Sequence, residues 1–209
     1  MNLWRALWLP SLLGERADPQ NFFMRNPMSI TDEIDEIGDT NTHERTRAYS
    51  WHDPMATAAK FATEGGLAAL RRVVAGEEPL APIMATMNFK LVEVDKGRAV
   101  FAMTPAEYHY NPIGVVHGGA AATLLDSAMG CAINASLPAG TAYTTLEIKV
   151  NYLRPLTMTT GPVRAEGKVV HLGRRMAVAE GRITDASGKL YATASTTCLV
   201  MVGDTTTTK

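Results

Sequence analysis

Asp126 is the only formally charged residue between Tyr108 and Leu146. The segment around it, GGAAATLLDSAMGCAINAS over 118–136, has the Ala, Leu and Met content and the length of a helix apolar on nearly every side. Such a helix has to be buried. Ionising a carboxylate there costs several kcal/mol unless partners compensate. Either a neighbouring hydroxyl such as Thr123 or Ser127 satisfies Asp126, or the carboxylate has a chemical task. Directly ahead of the helix runs Asn111-Pro112-Ile113-Gly114-Val115-Val116-His117-Gly118-Gly119. Two glycines at a helix start let a ligand approach the backbone, and the free N–H groups of the first turn, aided by the helix dipole, can hold a developing negative oxygen. The plainer reading is a Gly-rich start that lets the helix pack closely. Neither GxGxxG nor Walker spacing is present and no Lys follows, which argues against a phosphate cradle.

Spacing constrains how the two features cooperate. Asp126 lies eight residues after Gly118, about 12 Å along a helix at ~1.5 Å per residue. One chain cannot present both to one carbonyl. Two chains with antiparallel helices can, because the Gly end of one then meets the Asp-bearing middle of the other and makes two equivalent sites across a two-fold axis.

The elements that must position these groups follow from periodicity. Apolar residues from Ala56 to Ala75 recur at helical spacing, with a break or start near Gly65–Gly66 and a stop at Gly76. Period-two patterning then predicts strands around 89–94 and 99–103 joined by Asp95-Lys96-Gly97. After the apolar helix, closed by Pro138-Ala139-Gly140, come strand-like runs at 143–153, 163–171, 175–184 and 190–202. The order ββαββββ implies an α+β fold, a curved antiparallel sheet wrapped around one long helix. At least one sheet edge should be free to pair with a second subunit.

With the motifs in this order, the chain resembles the hotdog-fold acyl-CoA thioesterases, in particular the phenylacetate-pathway branch. The likeness runs from Leu80 to Val202 and rests on NPIGVVHGG, ATLLDSAMG and TTLEIKVNYLRPL. It implies acyl-CoA hydrolysis by a helix carboxylate, here Asp126, with the Gly118 N–H of the opposite subunit polarising the thioester carbonyl. By the same resemblance, Asn111 and His117 orient the thioester or the attacking water, Thr145 is a hydroxyl beside the carboxylate, and Gly119 contributes to substrate binding. The neighbouring Thr144 would face the other side of the sheet. Arg174 and Arg175, at a hairpin, would grip CoA phosphates, the alternative being a solvated turn. The chemistry is self-consistent, because a leaving thiolate with a thiol pKa of about 8.5 needs little acid help, so one carboxylate and an oxyanion hole suffice. Two other readings compete: a hotdog dehydratase or hydratase, for which Asp126 lacks a protonatable partner in its helix, and a non-catalytic acyl-CoA-binding regulator, which would be expected to carry a helix-turn-helix.

Composition narrows the classes further. The 209 residues are 46% hydrophobic and 20% charged, with net charge −1, which describes a globular chain without a field for nucleic acid or an anionic membrane. Residues 1–54 carry 5 basic and 9 acidic residues and four prolines without a sustained period. They read as a flexible extension to a domain over 55–203, with 204–209 a polar tail. The apolar run from Leu3 to Leu13 is interrupted by Arg5 and Pro10, too short for a membrane span and without a small-x-small cleavage site. Met24, Met28 and Met55 leave the start of translation open. Eight basic residues against three acidic over 149–191 suit an anionic ligand or a solvated sheet face equally. Cys131 and Cys198 are far apart and show no metal-ligand spacing, so the sequence predicts no disulfide, metal or cofactor, and a cytoplasmic homodimer or homotetramer.

Overall fold

The computed structural model describes residues 45–79 and 81–202; the expectations for the segments before and after lie outside the described residues. Three short helices lead in: α1 (Pro54–Glu64), α2 (Gly66–Ala75) and α3 (Pro82–Met87). α1 starts with Pro at its first position and an Asp53 side chain that accepts the Met55 N–H at 2.9 Å. Gly65, at φ 84° and ψ 148°, then breaks the amphipathic run into two helices. The next helical residue, Gly66, sits so close to the end of the long helix that a Cβ there would lie 2.1 Å from the Asn134 carbonyl oxygen.

Six strands follow the predicted order around the long helix α4 (Gly118–Asn134): β1 (Phe89–Asp95), β2 (Arg98–Met103), then after α4 β3 (Thr141–Tyr152), β4 (Val163–Leu172), β5 (Met176–Asp185) and β6 (Leu190–Val202). They form one antiparallel sheet in the order β1-β2-β4-β5-β6-β3, with β1 and β3 at its edges. Helix α4 touches every strand. Its Leu124, Leu125, Ala128, Met129, Ala132 and Ile133 are fully buried, as an all-round apolar helix requires. Beside them the inner sheet face contributes Phe101, Val163, Ala165, Ala177, Ala179 and Ile183.

Two glycines set how near α4 comes. Gly167 of β4 and Gly181 of β5 are cross-strand partners. A Cβ on Gly167 would lie 2.4 Å from the backbone C and O of Ala128, whereas one on Gly181 would meet only the Met129 and Leu125 side chains at 3.0–3.1 Å. Backbone cannot yield where flexible side chains can.

On the sheet, three of the eight basic residues counted between 149 and 191, Arg164, Lys168 and Arg182, are held in ion pairs. Arg98, Lys168 and Arg182 surround Glu166, and Arg98 and Arg164 bind Glu93. Burial pushes the Glu166 carboxyl up, but the hydrogen bonds from Arg98 and Arg182 outweigh it and hold the group at about 2. Solvated strand faces, rather than an anion site, account for this part of the charge excess.

The glycine pair yields a direct stability test. Gly167→Ala should cost roughly 3 kcal/mol and Gly181→Ala about 1 kcal/mol, read as thermal midpoints of the purified variants. Equal losses would mean that helix and sheet do not meet at Gly167.

Candidate active site

Asp126 sits on the third turn of α4, on a helix whose other faces are packed away, and it remains half-exposed. Its partner is not in its own helix. Thr145 of β3 donates its hydroxyl proton to Asp126 Oδ1 at 3.0 Å, while Thr123 spends its hydroxyl on the Gly119 carbonyl one turn back at 2.9 Å. Thr145 Oγ1 also lies 3.8 Å from Cys198 Sγ. The neighbouring Thr144 is exposed.

The two thiols near this carboxylate are poor nucleophiles. Burial, with the Asp126 charge adding to it, pushes the Cys131 thiol up to about 12. Burial likewise raises Cys198. Thiolate chemistry at neutral pH is therefore disfavoured. Among the described residues no group of three or more His, Cys, Asp and Glu side chains could hold a metal ion.

At the start of α4 the expected loop residues are brought together. Asn111 shapes the loop: its Oδ1 accepts the N–H groups of Ile113 at 3.1 Å and Val115 at 3.3 Å. The loop is tied to the body by Val116 N–H to Leu156 O at 2.9 Å and His117 N–H to His109 O at 2.7 Å. His109 is buried, with Nδ1 accepting from Ala106 N–H and Nε2 against Met87 O, and it serves the scaffold.

His117 is the N-cap of α4, its Nδ1 accepting the Gly119 N–H at 2.8 Å. This bears on the substrate-binding role expected of Gly119. The Gly119 amide is taken by the histidine and cannot face a substrate, and a side chain at 119 would strike the ring, its Cβ 2.8 Å from Nδ1. Ala120 N–H is likewise bound, to His117 O. Gly118 N–H has no acceptor among the described residues.

Tyr152 completes this end and was not visible in the sequence. Its hydroxyl donates to Gly118 O at 2.9 Å, so the glycine's carbonyl is occupied while its N–H stays open. Strict alternation from Thr145 would turn Tyr152 to the opposite sheet face, seven residues on. A β-bulge intervenes, with Leu146 unpaired between the Thr145–Cys198 and Glu147–Thr197 pairs. Tyr143 and Thr145 before it and Ile148 and Val150 after it are the half-buried positions. A groove of about 300 Å³ opens beside Gly118, walled by Val116, Tyr152, Leu153, Pro155 and Leu156, with Arg154 at its side.

Within one chain, then, two half-sites stand apart: Asp126 with Thr145, and the Gly118 end with Asn111, His117 and Tyr152. Arg174 and Arg175 lie in the β4–β5 hairpin, both exposed and without an ion-pair partner among the described residues.

The fold agrees with that of known proteins. The sequence model of the thioesterase superfamily matches residues 113–192, a span that includes Gly118, Asp126 and Thr145. A protein of Saccharolobus solfataricus named as an esterase is 35% identical over 115 residues, 54% of this chain and 78% of its own. The 1,4-dihydroxy-2-naphthoyl-CoA hydrolase of Listeria monocytogenes is 31% identical over 108 residues, 52% of this chain and 86% of its own. Among solved structures, a variant of the phenylacetic acid degradation protein PaaI from Thermus thermophilus superposes with a TM-score of 0.52 at 31% identity, over 57% of this chain and 98% of that one. On the six-stranded antiparallel sheet around α4 and on these matches, the chain belongs to the thioesterase superfamily and is a hotdog-fold thioester hydrolase.

Proposed function

We propose that the chain hydrolyses an aryl- or medium-chain acyl-CoA to the free acid and CoA, at two sites shared between the subunits of a homo-oligomer. The observation that carries this reading is the pairing of a half-exposed Asp126, held by Thr145, with an open Gly118 N–H eight residues away on the same buried helix. Antiparallel docking of two α4 helices puts each Asp126 opposite the other chain's Gly118. The free edge of β3, twelve residues long, supplies backbone groups for pairing at the same interface.

In the reaction, Asp126 drives attack on the thioester carbonyl, as nucleophile or through a water it deprotonates. Thr145 keeps one carboxylate oxygen fixed and leaves the other for the attack. The Gly118 N–H, strengthened by the helix dipole, stabilises the oxyanion. His117 acts indirectly, capping the helix at Gly119 and leaving the Gly118 N–H unspent. The Asn111 side-chain NH2, whose carbonyl is occupied by the loop, is left to orient the thioester or water. Collapse of the adduct expels CoA as thiolate without a dedicated acid. Arg174 and Arg175 meet the CoA phosphates. The domain taken to do this is 55–203, with Asp53 and Pro54 added as cap and first residue of α1. Two free cysteines suit a reducing cytoplasm, and among the described residues no helix is long and apolar enough to cross a membrane.

Asp126→Asn should lower kcat for acyl-CoA hydrolysis by at least ~100-fold while circular dichroism and thermal midpoint stay near those of the unaltered protein. Near-normal turnover would remove the carboxylate from the mechanism.

Gly118→Pro deletes the N–H and adds a ring whose Cβ lies 3.2 Å from the Tyr152 side chain, so the thermal midpoint is read beside kcat. Proline is tolerated at the first helical position, and the preceding His117 already has the extended backbone (φ −58°, ψ 134°) that proline demands. We expect a ~100- to 1,000-fold loss in kcat. Mixing Gly118→Pro subunits with Asp126→Ala subunits should then restore part of the activity, because one of the two sites in each heterodimer is intact. No recovery after demonstrated subunit exchange would place both groups of a working site in one chain.

Replacing Arg174 and Arg175 together by Ala should raise KM for acyl-CoA about 10-fold with little change in kcat, and leave short thioesters lacking the nucleotide unaffected. An equal effect on both substrate types would assign the arginines to the scaffold.

A further inference from the structure

A second cavity, of about 280 Å³, lies between the C-terminal half of α4 and the lead-in helices. Its walls are apolar: Phe61, Leu70, Val73, Met84, Leu91 and Phe101. Cys131 and Asn134 of α4 and Tyr143 of β3 close it on the side of the carboxylate, and Thr57 and Ala58 of α1 roof it.

The cavity continues from Asp126 in both elements that hold it. Along α4, Cys131 and Asn134 are five and eight residues on, about 7 and 12 Å at the helical rise, in the direction away from Gly118. Along β3, Tyr143 is two residues before Thr145 and on the same face of the sheet. The Asp126 charge adds to burial in raising both the Cys131 thiol and the Tyr143 phenol. The Tyr143 ring lies across the helix at Gly130, where an added Cβ would come within 3.0 Å of its hydroxyl. Gly130 is one turn beyond Asp126. Tyr143 therefore forms the partition between the carboxylate and the cavity.

We infer that the acyl group of the thioester occupies this cavity, and that Thr57, Phe61 and Tyr143 set the size of acyl group accepted. The inference rests on the reading of Asp126 as the group that attacks the carbonyl. An acyl carbon held at Asp126 has its substituent one helical turn from Tyr143, and the apolar space beyond is closed on the far side by α1 and α2. A cavity of about 150 Å³ with aliphatic and aromatic walls suffices for benzene. The volume here accommodates a single ring on a short spacer, a medium-length chain or two fused rings. The roof is the adjustable wall, since α1 is largely exposed while Thr57 and Phe61 are half-buried.

The experiment measures kcat/KM of the full chain for acetyl-, hexanoyl-, phenylacetyl-, decanoyl- and 2-naphthoyl-CoA. The unaltered protein should favour hexanoyl- and phenylacetyl-CoA over acetyl-CoA, which leaves the cavity empty, and over the longer decanoyl-CoA, and should accept 2-naphthoyl-CoA. Thr57→Trp, which fills the cavity from a half-exposed helix position, should cut the two favoured substrates at least ~10-fold and leave acetyl-CoA within ~3-fold. Phe61→Ala, which enlarges it, should raise decanoyl- relative to hexanoyl-CoA about 10-fold. Profiles that keep their shape in both variants, or that fall in parallel for all five substrates, would overturn the inference. Asp126→Asn measured on the same panel separates the two levels. Lost turnover with unmoved profiles in the roof variants leaves the carboxylate's role standing and removes the acyl site. Retained turnover in Asp126→Asn removes the carboxylate's role whatever the roof variants do.

Discussion

Close approach of α4 to the sheet is the constraint on which the remaining structure depends. The helix reaches β4 at Gly167 with backbone against backbone, which leaves no layer of side chains between them at that point. A helix so embedded can be apolar nearly all round, and Leu124, Leu125, Ala128, Met129, Ala132 and Ile133 make it so. The same embedding raises the effective strength of any charge placed on it, because few waters remain to screen it. Asp126 is tolerated because it emerges where α4 faces β3, the edge strand, and there meets a hydroxyl rather than a hydrocarbon.

The N-terminal end of α4 meets its hydrogen-bonding needs differently. Of the first donors, Gly119 N–H is consumed by His117 Nδ1 and Ala120 N–H by His117 O, and Tyr152 takes the Gly118 carbonyl. A helix start ordinarily leaves several donors to solvent. Here the loop from Asn111 to His117 reduces them, so that the dipole's positive end is expressed at Gly118. Histidine rather than Asp in the cap position fits this arrangement, since its ring accepts a hydrogen bond without adding a negative charge beside the Gly118 N–H.

How much of this was legible in the sequence differs by element. The strand order and α4 could be read because their apolar periods are long and their turns carry Gly, Pro and Asp signals, as at Pro138-Ala139-Gly140. The isolated carboxylate was legible as an anomaly, since charge inside an apolar run has few explanations. The partner of Asp126 could not be read from residue types alone, because helix neighbours Thr123 and Ser127 and the strand residue Thr145 all offer hydroxyls; tertiary packing chose the strand. The engagement of the Gly119 amide could not be read, because a capping side chain two residues back is a matter of rotamer, not composition. That Arg164 and Arg182 are engaged by acids could not be read from the window, because Glu93 and Glu166 lie on different strands and Glu93 lies outside it.

The bulge at Leu146 bears on how the gene can change length. Thr145 and Tyr152 are an odd number of residues apart, yet both serve the face toward α4, because Leu146 adds a residue that the partner strand does not count. The Thr196 hydroxyl, bound to Glu147 O at 2.7 Å, pins the strand where regular pairing resumes. Loss of Leu146 itself would restore an unbroken ladder and keep both side chains on their present face. Loss or gain of one residue between 147 and 151 would turn Tyr152 away from Gly118 while Thr145 stayed in place. A single codon deletion in this strand is thus either nearly silent or severs one end of the helix from its support, and which of the two depends on only a few positions along the reading frame.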